Sequence, residues 1–212
     1  MGGRGPRSSA SALREQLAQE AARLMMEGGI EDYGLAKRKA AERLGVRSAG
    51  ALPSNAQIAS SLTERQRIFA PDAHARRLVT LRRLAAEVME WLAPFDPRLV
   101  GAVLTGTVTI NSAIELHVYT DAPELVAAVL EQQRVPVRDC QRRYRFNEQQ
   151  KPVQVPGFSF QLDGEEVVVL AFAEKRSRQA PLSPVDQRPM RRAGRAEVLA
   201  MLDDGPQAGD PA

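Results

Sequence analysis

Cysteine is almost missing from this chain. Cys140 stands alone, so an internal disulfide and a cysteine-built zinc cage are both excluded. Aromatic residues make up only 5% of the sequence, which leaves a core of leucine, valine and alanine. No apolar run approaches the roughly 18–20 residues that a bilayer-spanning helix needs, so no membrane partner is expected. The opening stretch from Met1 to Ser9 lacks the apolar segment of a secretory signal, which makes the cytoplasm the expected compartment. An internal repeat is also lacking. The net charge is only +3, and it is unevenly spread. Residues 10–93 carry a net +3, residues 94–173 a net −3, and residues 174–195 hold 7 basic against 2 acidic side chains. A nucleic-acid binder presents a coherent basic face, and only the helices and the C-terminal stretch could supply one.

What is present divides into a helical part and an α/β part. Residues 1–9 read as a disordered start and residues 10–93 as a helical region. Leu13, Leu17, Ala21 and Leu24 form one apolar stripe of a helix that Gly28-Gly29 stops. A second helix starts near Asp32, a third is capped by Ser54 or Asn55, and a fourth runs on from Pro71-Asp72 to Leu92. In the fourth, Arg76 and Arg77 lie near the start and Glu87 and Glu90 near the end, against the helix dipole. Beyond Pro94–Pro97, strands are expected at Leu99–Leu104, Ile114–Tyr119, Val137–Phe146, Gly157–Leu162 and Glu166–Phe172. A helix over Pro123–Gln133, opened by Asp121 as its cap, breaks the series. Residues 98–173 are thus an α/β domain, residues 174–202 a basic strap with a short helix, and residues 203–212 a disordered tail. The fold class is α/β: a small mixed sheet with the N-terminal helical region packed on it.

The densest chemical information lies between Leu104 and Asp121. A Gly106-Thr107 turn leads, six residues later, into an alternating strand. Ala113, Glu115, His117 and Tyr119 share one face of that strand, and Ile114, Leu116 and Val118 the other. The aliphatic face belongs to a core. The face with a carboxylate and an imidazole is either the wall of an active site or ordinary wet surface.

This arrangement resembles the signature of the nucleotidyltransferase (polymerase-β-like) superfamily, over residues 98–173. In that family a Gly-Ser turn precedes a strand reading Ser-Asp-x-Asp. Gly106 and Thr107 match the Gly-Ser pair, Ser112 the serine, Ala113 the first aspartate and Glu115 the second. The resemblance implies a sheet of nucleotidyltransferase type, with Gly106, Thr107 and Ser112 binding the nucleoside triphosphate. It also implies that two strand carboxylates and a third on a later strand hold two Mg²⁺ ions for in-line phosphoryl displacement. The third-carboxylate strand follows the Asp163-Gly164 turn, and the matching register puts Val168 at the ligand position, with Glu166 two residues earlier on the same face. Ala113 and Val168 cannot bind metal, which leaves Glu115 and Glu166 as the candidate metal ligands and no confident catalytic residue.

The expectation is therefore a degenerate member of that superfamily with a binding or regulatory role. One alternative is an active nucleotidyltransferase using Glu115 and Glu166, with His117 as a further ligand, Mg²⁺ and a nucleoside triphosphate. Another is an RNA-associated protein, and a protein partner could use the same arginine-rich surfaces. Arg138, Arg142, Arg143 and Arg145 surround Tyr144 and Phe146, a composition suited to bases and phosphates but equally to an edge strand guarded by charge. Lys37, Arg38 and Lys39 beside Tyr33, and the strap with Arg191, Arg192 and Arg195, are further basic surfaces with solvated alternatives.

Overall fold

The computed structural model describes residues 6–46, 52–69 and 71–203. Most of the expected loose start, part of the Arg47–Pro53 connector and residues 204–212 lie outside them. The described residues form a mixed α/β protein with seven α-helices and one five-stranded sheet. They divide into two units, each described by itself: residues 1–71 with Thr107–Ser112 and Pro184–Asp186, and the remainder from Asp72 onward.

The first unit is built on three helices: α1 (Pro6–Gly28), α2 (Tyr33–Arg43) and α3 (Asn55–Phe69). Helix α1 packs on both others, burying Leu17, Ala21, Ala22 and Met25 against Ala36, Ala40, Ile58 and Leu62. The alanines let the helix backbones approach closely. Asp32 caps α2, its carboxylate accepting the Leu35 N–H at 2.6 Å. Ser54 and Gln57 form a reciprocal box at the start of α3: the Ser54 hydroxyl accepts the Gln57 N–H at 3.1 Å, and the Gln57 side chain accepts the Ser54 N–H at 2.8 Å. Residues 107–112 are held in this unit by the buried Gln66 side chain, which donates to the Val108 carbonyl, and by Asn111, which donates to the Gly29 carbonyl at 2.9 Å.

The second unit holds α4 (Pro71–Trp91) and the sheet, whose strands are β1 (Arg98–Val100), β2 (Ile114–Tyr119), β3 (Arg138–Tyr144), β4 (Val153–Leu162) and β5 (Glu165–Phe172). Their order across the sheet is β1-β2-β5-β4-β3. Only β2 and β5 run parallel; the other pairs are antiparallel. Helices α5 (Gly101–Thr105), α6 (Pro123–Gln132) and α7 (Arg195–Asp203) complete the unit. Asp163 and Gly164, with φ of 51° and 81°, make the tight turn between β4 and β5 that a two-residue hairpin demands. The aliphatic face of β2 (Ile114, Leu116 and Val118) is fully buried, as are Val167 and Val169 on β5. So are Leu81, Val88 and Met89 of α4.

Two of the four charges on α4 that oppose its dipole, Arg77 and Glu90, have tertiary partners. Arg77 makes a two-pronged pair with Glu165 at 2.7 and 2.9 Å, and Glu90 pairs with Arg195. Two expectations fail locally. The strand expected over Leu99–Leu104 stops at Val100, because Gly101 adopts φ 69° and turns the chain into α5. Asp121 does not cap α6, whose N-cap is Ala122; the Asp121 carboxylate accepts the Glu174 N–H instead, at 3.3 Å. Among the described residues no helix is long and apolar enough to cross a bilayer.

Candidate functional site

Register decides which side chains meet on the sheet. Glu115 on β2 lies directly beside Val168 on β5, His117 beside Leu170, and Tyr119 beside Phe172. Val168 therefore occupies the place next to Glu115. Glu166 is exposed, pairs across the sheet with Gln161, and by continuation of the same register falls next to Ala113.

The face carrying Glu115 and His117 is largely covered: His117 is wholly buried, and the Glu115 side chain keeps 27% of its surface exposed. This face is a second core, built from Tyr119, Tyr144, Phe146, Val155, Val168, Leu170 and Phe172. Aromatics are scarce in the chain, yet both remaining tyrosines besides Tyr33 gather here, with two of the phenylalanines, in tilted and edge-on contacts. The Phe172 ring lies 4.4 Å from that of His117 and 5.4 Å from that of Tyr144, centre to centre. Tyr144 meets His117 edge-on at 5.4 Å.

Inside this cluster the polar groups are few and tightly engaged. The Tyr144 hydroxyl reaches from the far edge strand and donates to Glu115 Oε1. His117 is wholly buried, with Nε2 3.8 Å from the same oxygen, too far for a hydrogen bond. Neither imidazole nitrogen has a hydrogen-bond partner among the described residues. Burial pushes the Glu115 carboxyl up, but His117, the Tyr144 hydroxyl and the Arg142 charge outweigh it and hold the group below the usual carboxylate range. Burial and then the Glu115 charge raise the Tyr144 hydroxyl far above its ordinary value, so it remains a donor. Burial likewise raises the pKa of the half-buried Cys140 thiol.

The residues expected to cradle phosphate fall in both units. Gly106 belongs to the sheet unit, where it ends α5 with φ 81° and its carbonyl lies 2.9 Å from His74 Nε2. Thr107 and Ser112 belong to the helical unit. Ser112 is buried, and its hydroxyl accepts the Thr109 N–H at 2.8 Å, a local turn. The glycine that approaches Glu115 is Gly101: a Cβ placed there would sit 3.4 Å from Glu115 Oε2. Sequence reasoning missed both Gly101 and Tyr144. The first lies inside an apolar run that reads as strand, and the second faces Glu115 only through a strand order that no local pattern encodes.

The Arg-rich surfaces also resolve. Tyr144 and Phe146 are buried and cannot stack on bases. In the strap, Arg192 donates to the Tyr119 hydroxyl at 2.6 Å and to the Ser177 carbonyl at 2.9 Å. Arg195 donates to the Ala86 carbonyl at 3.1 Å, and Arg191 pairs loosely with Glu197 at 3.5 Å. Arg176 lies 3.9 Å over the Phe146 ring. It also lines an open pocket of about 240 Å³ with Thr120, Asp121, Gln154 and Phe172, and Glu115 is not among the pocket's walls. Comparison of the chain with protein-family models, with curated proteins and with solved structures finds no match.

Proposed function

We propose that this chain is an α/β protein of nucleotidyltransferase type that no longer carries out metal-dependent nucleotidyl transfer and works by binding or regulation. The observation that supports this most directly is the state of Glu115. Its carboxylate is satisfied from within, by the Tyr144 hydroxyl, in an aromatic cluster. Two-metal displacement needs several carboxylates converging on a pair of ions that also contact substrate. Magnesium further demands near-octahedral oxygen ligation and keeps several waters. Ala113 offers no ligand, Val168 stands beside Glu115 where a third carboxylate would serve, and Glu166 is displaced along the strand. The donor set does not fit a magnesium pair, so no catalytic step is derived through one.

The test is direct. Incubated with Mg²⁺ and each nucleoside triphosphate in turn, the protein should release no pyrophosphate above the uncatalysed background. Ala113→Asp should not restore turnover while Val168 remains. Robust turnover by the wild-type protein that disappears in Glu115→Ala would overturn the reading.

A further inference from the structure

Strand β3 is the last strand of the sheet, paired on one side with β4 and bordered on the other by no strand among the described residues. Which of its backbone groups face outward follows from Pro156 on β4, directly opposite Gln141. Proline has no N–H, so this pair is suited to a position whose backbone groups point away from each other. Alternation then turns the N–H and C=O of Asp139, Gln141 and Arg143 toward the open side. The carbonyl of Arg145 shares that parity, and it accepts the Leu182 N–H at 2.7 Å. The strap thus already adds one backbone hydrogen bond at the end of this edge, and among the described residues no other backbone pairs with it from Arg138 to Tyr144.

The side chains flanking that edge carry one dominant sign. Arg138, Arg142, Arg143 and Arg145 are all exposed, and none makes an ion pair or side-chain hydrogen bond among the described residues. Asp139 is the one acidic residue in the stretch. By contrast Arg23, Arg77, Arg98 and Arg195 all have carboxylate partners. The arginines of β3 alternate across the strand, so positive charge borders the open backbone on both faces of the sheet.

We propose that the outer edge of β3 binds an extended acidic segment of a partner protein, which joins the sheet as a sixth strand. The outward backbone groups of Asp139, Gln141 and Arg143 supply the pairing, and the arginines supply the selection for acidic side chains. Charge on an edge strand guards against indiscriminate pairing, and the same charge admits a strand of opposite sign. Burial of Tyr144 and Phe146 removes the rings on which a nucleic acid would stack, so the open backbone ladder favours a polypeptide.

The probe is a fluorescent ten-residue peptide of alternating glutamate and valine, titrated with the full chain at two salt concentrations. Its lysine-valine counterpart and a single-stranded RNA of equal charge are run beside it. The acidic peptide should bind, more weakly at the higher salt, and the lysine peptide should not. Gln141→Pro removes one outward N–H while leaving every arginine in place, and should weaken binding about tenfold or more. Arg138→Glu with Arg143→Glu should do the same. Amide exchange in the wild-type complex should slow at Gln141 and Arg143, a readout that stands even if the proline variant folds poorly. Several results would overturn the proposal: absence of binding, peptide binding without slowed exchange, tighter binding of the RNA, or self-association of the chain through this edge. None of these outcomes bears on pyrophosphate release, so the two proposals fail separately.

Discussion

A carboxylate among aromatic rings is costly unless donors meet its oxygens, and at Glu115 the Tyr144 hydroxyl is that donor. Tyr144→Phe keeps the ring packing and removes the donor. It should lower stability by about 1 kcal/mol, the net worth of one hydrogen bond whose acceptor water can still reach, since 27% of the Glu115 side chain is exposed. Urea unfolding measures this, and a wild-type midpoint would strip the hydrogen bond of its structural role. The same carboxylate predicts a pH dependence. Its folded pKa lies below the ordinary carboxylate range, so the unfolded chain binds the proton more readily. The stabilisation is present above that range and is lost as pH falls through the folded pKa. Glu115→Gln should therefore flatten the acid limb of the stability curve below about pH 4.5 and leave its shape near neutrality unchanged. Glu115 itself was legible from the sequence as the one strand carboxylate at a marked position. Its partner was not, because Tyr144 arrives from a strand three places across the sheet.

At the scale of elements, period and punctuation carried most of the reading. The alternation in Ile114–Tyr119 and the Asp163-Gly164 turn both reappear in the fold, as does the cap at Asp32. What failed was backbone geometry hidden in a single residue: Gly101 looks like one more small residue in an apolar run, yet its positive φ ends β1. Gly101→Ala should cost about 1 kcal/mol, since an L side chain is strained there and its Cβ would press on Glu115; thermal melting checks it. Helix α4 teaches the converse point. Arg77 near its start and Glu90 near its end oppose the dipole of a lone helix, and each is met by a tertiary partner, Glu165 and Arg195. A double-mutant cycle on the Arg77–Glu165 pair should give a coupling of about 1 kcal/mol that shrinks with added salt.

For the whole molecule, the boundary between helical and α/β parts falls earlier than composition implies. From Asp72 onward α4 belongs with the sheet, and its Leu81, Val88 and Met89 are buried. A fragment of residues 95–212 would lack that cover, and it should melt broadly by circular dichroism where the full chain melts cooperatively. A sharp, reversible transition in the fragment would show that α4 is dispensable. The connectivity of the sheet also has a kinetic consequence. Strands β3, β4 and β5 are sequential neighbours, joined by the loop between Tyr144 and Val153 and by the Asp163-Gly164 turn, so their pairing closes only small loops. Docking β2 against β5 in parallel closes a loop of about 50 residues, an entropic cost that delays it. The meander should form in the folding nucleus, with β2 entering afterwards, so that substitutions in the Asp163-Gly164 turn slow folding while those at Glu115 chiefly speed unfolding. Tyr144 would then be in place before β2 docks, so that Glu115 meets its donor as it enters the aromatic cluster.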